Sequence, residues 1–76
     1  MKEFVEFIAR HLVEHPDEVE VKEIESTRST IIELRVNPSD LGKVIGKNGQ
    51  TAKALRTLLT AASARIGKRA ALEILD

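Results

Sequence analysis

An α+β fold with elements in the order α-β-β-α-α-β is what three features of the 76-residue sequence predict. Apolar residues recur at helical spacing near the start and again after residue 50. Strict alternation marks two segments as strands. Two glycines three positions apart interrupt the helical pattern between them. Residues 2–14 read as the first helix, because Phe4, Ile8 and Leu12 return every fourth position and are joined by Val5, with Pro16 and Asp17 ending the run. Residues 19–26 read as a strand in which Val19 and Val21 alternate with Glu20 and Lys22. The phase slips at Ile24, which predicts a bulge or a bend. Residues 27–29 form a polar turn. Residues 30–36 make a clearer strand, since Ile32, Leu34 and Val36 alternate with Glu33 and Arg35, and the two strands read as a hairpin.

Asn37-Pro38-Ser39-Asp40 is a helix start. Asn37 can cap, Pro38 suits the first helical position, and Asp40 favours the positive end of the dipole. That helix is short, because Gly46 follows within two turns and Gly46-Lys47-Asn48-Gly49 reads as a tight loop. A long helix covers residues 50–66 with Ala52, Leu55, Leu59, Ala62 and Ile66 as its apolar stripe, and Gly67 is a good stop. Residues 69–75 form a last strand with Leu72 and Ile74 on one face. No repeat, linker or low-complexity segment divides the chain.

Composition narrows the function. The length permits one domain, and a chain this short buries only about 60% of its extended surface, which leaves room for a partner to add stability. With no cysteine there is no disulfide, thiolate metal site or thiol nucleophile. Glu3, Glu6 and Arg10 interrupt any signal-peptide core, and no uncharged stretch approaches the ~20 residues of a membrane span. A reducing, cytoplasmic setting with no membrane contact is expected. Twelve basic residues balance twelve acidic ones, yet they are segregated. Lys43, Lys47, Lys53, Arg56, Arg65, Lys68 and Arg69 lie between Leu41 and Leu72 with no acidic residue among them, so the rest of the chain carries −7, concentrated from Glu14 to Glu25. Such asymmetry suits a surface that faces a polyanion, or two faces that attract each other within the fold.

The loop between the second and third helices is where that positive charge meets suitable backbone. Glycine accepts positive φ and lets another backbone come close. The amides near Gly49 and Gln50 open a long helix, so their unpaired N–H groups and the dipole would favour a phosphate, with Lys47 as a mobile cation. Gly42 supports this, because a glycine inside a helix costs about 1 kcal/mol relative to alanine and so needs a reason. It shares a helix face with Ile45 and Gly46, and a small residue there leaves room for a base or ribose. Two capping glycines at an ordinary helix corner would also give a bare GxxG.

The flanking residues decide between these readings. The string LGKVIGKNGQTAKALR at residues 41–56 closely resembles the KH-domain signature, an apolar-Ile-Gly-x-x-Gly core. A helix and two strands before the loop, with one strand after its second helix, match the type II arrangement, and the stand-alone size resembles the small bacterial KhpA (YlqC-like) family. The resemblance implies a type II KH domain over residues 1–76, with a three-stranded sheet packed against three helices and the GxxG loop at 46–49. It implies single-stranded RNA, sometimes DNA, as ligand, with the loop clamping about four nucleotides. Carried over, Gly46, Lys47, Asn48 and Gly49 hold the phosphates. Gly42 and Ile45 form an apolar groove wall opposite the strand at 30–36, and Lys43 and Lys53 border the groove. The family resemblance further implies a cytoplasmic, non-catalytic RNA chaperone or post-transcriptional regulator without cofactor or metal. It also implies homodimers, pairing with a larger KhpB/Jag-type KH protein, and an influence on cell elongation and cell-wall synthesis. The lack of Trp and Tyr fits a groove that holds bases by van der Waals contact, and predicts binding in the micromolar range or weaker for one domain, roughly −8 kcal/mol at best.

Other patterns carry less. Gly42 to Asn48 has three residues between its glycines and Asn after Lys, so it fails the spacing and the Ser or Thr of a nucleotide-binding P-loop. His11-Leu12-Val13-Glu14-His15 fits the inverted zinc-protease string, but it closes a short helix next to Pro16 with nothing around it to form a cleft, and reads as two surface histidines. The carboxylates read as a solvated face that repels nucleic acid from that side. Ala54, Leu58 and Ala61 lie beside the core stripe of the long helix and either complete one wide core face or form a self-association patch.

Overall fold

The computed structural model describes residues 1–75. Its elements are α1 (Lys2–Leu12), β1 (Glu20–Glu25), β2 (Ser29–Arg35), α2 (Leu41–Ile45), α3 (Gln50–Ala64) and β3 (Arg69–Leu75), with single 3-10 turns at Pro16–Glu18, Pro38–Asp40 and Lys47–Gly49. The fold is α+β, a three-stranded mixed sheet with three helices in the expected order. β2 is the central strand, antiparallel to β1 and parallel to β3. Val21, Ile32, Leu34 and Leu72 from the sheet meet Val5 and Ala9 of α1, Val44 of α2 and Leu55 and Leu59 of α3 in one core. None of the described helices is long and apolar enough to cross a membrane.

The differences from expectation have local causes. α1 stops at Leu12, two residues early, because the N–H groups of Glu14 and His15 go to the Asp40 carboxylate at 3.1 and 3.0 Å instead of continuing the helix. Its buried face is Val5 and Ala9, whereas Phe4 is 39% exposed. A small Ala9 lets the helix approach the sheet closely, and the larger ring is left at its flank. β1 has no bulge: its pairing with β2 runs unbroken from Glu20 opposite Arg35 to Glu25 opposite Thr30. The sequence phase slips because Glu23, on the inward side with Val19 and Val21, accepts the Lys2 N–H at 2.9 Å. That bond satisfies one of the free donors that begin α1. Ile24 then falls on the open face of the sheet, opposite Ile31. On α3 the buried row is Ala52, Leu55, Leu59 and Ser63, and both Ala62 and Ile66 are exposed. Gly67, at φ 72°, ends the helix as expected. The Lys68 N–H bonds back to Ser63 O and the Gly67 N–H to Ala64 O, a Schellman closure that leaves Ile66 beyond the last helical turn.

Candidate functional site

α2 is only five residues long, too short to persist alone, so its ends must be fixed by other groups. At its start, Asn37 Oδ1 accepts the Ser39 N–H at 2.9 Å, the capping role expected of it, and Pro38 opens the turn. In its middle, Val44 is fully buried. At its end, the Gly46 N–H closes onto Gly42 O at 2.9 Å. Gly46 then turns at φ 79°, and a Cβ there would stand 2.8 Å from the Thr51 nitrogen. Conformation and space thus both require glycine. Gly49, at φ 74°, has open space around it, so only its conformation favours glycine.

The loop's donors are not the ones expected. The Gly49 N–H is bonded to Gly46 O at 3.1 Å and the Gln50 N–H to Lys47 O, so the opening of α3 is partly closed by the chain itself. Among the described residues, no acceptor in the chain takes the N–H of Lys47 or Asn48. Lys47 is helical and Asn48 left-handed, at φ 56° and ψ 27°. A right-handed residue followed by a left-handed one turns successive N–H groups to one side and forms an anion-binding concavity. Both residues are exposed, and the Lys47 ammonium is on the same tip. Asparagine is among the few residues that enter the left-handed region readily. The loop therefore offers two adjacent backbone donors and one cation, a set suited to holding a phosphate.

The surroundings of the loop correct one expectation. Gly42 and Ile45 lie one turn apart on α2 and are both exposed, and a Cβ on Gly42 would meet nothing within 4 Å, so this face of α2 is open. The strand opposite is not the one at 30–36: β2 is central, and its Thr30, Ile32, Leu34 and Val36 are buried in the core. The edge strand beside α3 is β3. Arg56, which entered the sequence reading only as one of the basic residues, donates through Nε and Nη2 to Leu72 O on β3, each at 3.4 Å. It bridges α3 to the sheet edge, and it differs from its basic neighbours in the sequence by no signal except its place one residue after the buried Leu55.

The basic stretch is partly neutralised. Lys68 pairs with Glu25, whose carboxyl this hydrogen bond holds below its usual range. Lys43 stands 3.8 Å from Asp40 and 3.9 Å from Glu14. Lys47, Lys53, Arg65 and Arg69 have no ion-pair partner among the described residues. Asp40 itself does not cap α2. Its carboxylate, 1% exposed, accepts the Glu14 and His15 N–H groups and the His15 ring at Nδ1 (3.0 Å). Burial works against its charge, but these hydrogen bonds outweigh that and hold its carboxyl below the usual range. The bond to Asp40 raises the His15 imidazole above its ordinary value. His11 instead turns to Phe7, with ring centroids 4.4 Å apart, so the two histidines of the HxxEH string face different partners.

Comparison with known proteins agrees with this geometry. A family model described as KhpA/KhpB, KH domain, matches residues 2–74. A protein of Aquifex aeolicus named RNA-binding protein KhpA is 55% identical over 76 residues, covering 100% of this chain and 96% of its own length. One of the same name from Borreliella burgdorferi is 53% identical over 74 residues, covering 97% and 90%. Another, from Clostridium acetobutylicum, is 51% identical over 75 residues, covering 99% and 100%.

Proposed function

Because the chain belongs to the KhpA/KhpB KH-domain family, we propose that it is a non-catalytic protein that grips single-stranded RNA by its sugar-phosphate backbone. The observation that carries this reading is the pair of N–H groups at Lys47 and Asn48, unpartnered among the described residues, on the exposed turn between Gly46 and Gly49. A phosphate seated there gains two charge-assisted hydrogen bonds and the Lys47 ammonium. The next nucleotides lie along the open face of Gly42 and Ile45, with Lys53 on the rim. The edge of β3, bridged by Arg56, forms the far side. One KH domain spans residues 1–76 in this reading, although Asp76 lies outside the described residues. The names borne by its relatives support RNA as the ligand. Family resemblance extends the reading to RNA chaperoning in the cytoplasm and to an influence on cell elongation and cell-wall synthesis.

The test is charge reversal at the loop tip. Lys47→Asp together with Asn48→Asp places two carboxylates where the phosphate would sit, and aspartate still tolerates the left-handed backbone at position 48. Binding of a labelled oligouridylate should fall by more than tenfold with the circular dichroism spectrum unchanged. Unchanged affinity in the folded variant refutes the loop assignment.

A second reading is favoured by α3. Leu58 is 51% exposed, with Ala54 and Ala61 exposed beside it. In this reading the chain is a dimerising adaptor that pairs with itself or with a larger KhpB/Jag-type protein, and RNA binding is secondary. Leu58→Glu would then abolish self-association in sedimentation experiments and leave the RNA affinity of each monomer intact.

A further inference from the structure

Lys43 leaves α2 toward the helix start, as helical side chains do. Its ammonium lies between Asp40 and Glu14, at the end of α2 away from Gly46. The residue that sequence reasoning placed at the groove rim is therefore held back from the phosphate-binding tip. We propose that the buried Asp40 carboxylate is a positioning residue that parks Lys43 away from the loop, and that proton uptake by His15 releases Lys43 toward the bound strand. This rests on the RNA reading above.

The geometry makes the competition explicit. Asp40 has one negative charge and two candidate cations. Its Oδ2 accepts the His15 N–H and, at 3.0 Å, the His15 ring. Its Oδ1 accepts the Glu14 N–H and faces Lys43 Nζ at 3.8 Å. With His15 neutral, Lys43 is the only full positive charge close to the carboxylate among the described residues, and Glu14 adds a second attraction at 3.9 Å. With His15 protonated, Asp40 has a charged partner in direct hydrogen-bond contact, and that partner repels Lys43. The groups facing His15 are Asp40 from the start of α2, Glu14 on its own segment and Glu18 from the next turn. All of them favour its charged form, the hydrogen bond to Asp40 most of all, and so move the imidazole above its ordinary value. Lys43 then needs only a rotamer change to turn from Glu14 toward a phosphate.

Two measurements test this. The first uses no RNA: the His15 ring is titrated by NMR in the wild type and in Lys43→Gln. If the two cations share Asp40, removing Lys43 raises the His15 midpoint. A midpoint indifferent to Lys43 overturns the proposal. The second is oligouridylate affinity near pH 8 and near pH 6. Lys43→Gln should cost less than twofold at the higher pH and about threefold or more at the lower, where wild-type log K against log salt steepens by about 0.7, one phosphate contact on a single strand. In a His15→Gln background the cost of Lys43→Gln should be the same at both values, whereas His11→Gln should leave the pattern intact. A cost that does not change with pH in the wild-type background, or a pH dependence that survives His15→Gln, overturns the release step. If the wild type binds no oligouridylate under any condition while the His15–Lys43 coupling is present, the RNA reading fails and the parking of Lys43 stands.

Discussion

Gly42 lies in α2 and Gly46 directly after it, yet they are glycine for different reasons. Gly46 is required by the fold: φ is positive and a Cβ would strike the backbone of Thr51. Gly42 sits in ordinary helix with open space where a side chain would go, so the fold alone would favour alanine. Gly42→Ala should raise thermal stability by about 1 kcal/mol or less and weaken oligouridylate binding, a split that melting curves and titrations on the same sample would show. Gly46→Ala should instead lower stability by about 1–3 kcal/mol or more. A Gly42→Ala variant that is more stable and binds equally well would exclude Gly42 from the groove. At this scale the sequence was informative about glycine and silent about its neighbours. The spacing of Gly46 and Gly49 located the turn, but which amides stay free depends on the left-handed Asn48, and asparagine is compatible with several conformations. Asp40 was harder still: after Asn-Pro-Ser it resembles a cap, and nothing local shows that its partners lie some 25 residues earlier, at Glu14 and His15.

Elements whose pattern is repeated over many residues were legible, and those fixed by one polar contact were not. β2 shows clean alternation because it is central, and every inward residue from Thr30 to Val36 is buried. β1 looked broken because one inward position is a glutamate with a partner at the start of α1. The placement of α2 depends on a comparable contact at its other neighbour. Asp40 ties the end of α1 to the start of α2, and its charge and that of His15 make the tie depend on pH. The imidazole pKa is raised in the folded protein, so its contribution is complete below 6.5, its ordinary value, and is lost as pH rises through the folded value. The carboxyl pKa is lowered, so its contribution is present above 3.8, its ordinary value, and is lost as pH falls through the folded value. The melting temperature should therefore decline from the mildly acidic range toward the alkaline side of His15. His15→Gln should flatten that decline, and Asp40→Asn should remove it and also soften the acid limb. Thermal melts across pH on the three proteins check this, and an unaltered profile in His15→Gln would assign the decline to other groups.

Across the whole molecule, zero net charge conceals a division of acidic and basic residues along the sequence. Two of the seven basic residues between Leu41 and Leu72 face carboxylates, Lys43 on Asp40 and Glu14, Lys68 on Glu25. Four others, Lys47, Lys53, Arg65 and Arg69, keep their charge available among the described residues. The attraction between acidic and basic segments foreseen as an alternative to polyanion binding is thus real, but it consumes only part of the positive charge. The acidic segment around Asp17, Glu18 and Glu20 stays exposed. In the proposed reading, the exposed carboxylates repel a polyanion and the unpaired cations attract it, which would orient it before contact. The two signs should separate experimentally. In the proposed groove Lys53 lies on the rim, so with Lys53→Gln the slope of log K against log salt should fall by about 0.7, with weaker binding at low salt. Glu18→Gln with Glu20→Gln removes exposed negative charge outside the proposed groove, so affinity at low salt should rise modestly, through the association rate, with the slope nearly unchanged. If Lys53→Gln leaves the slope where it was, the strand does not pass along α3, and the groove must run along another side of the Gly46–Gly49 turn.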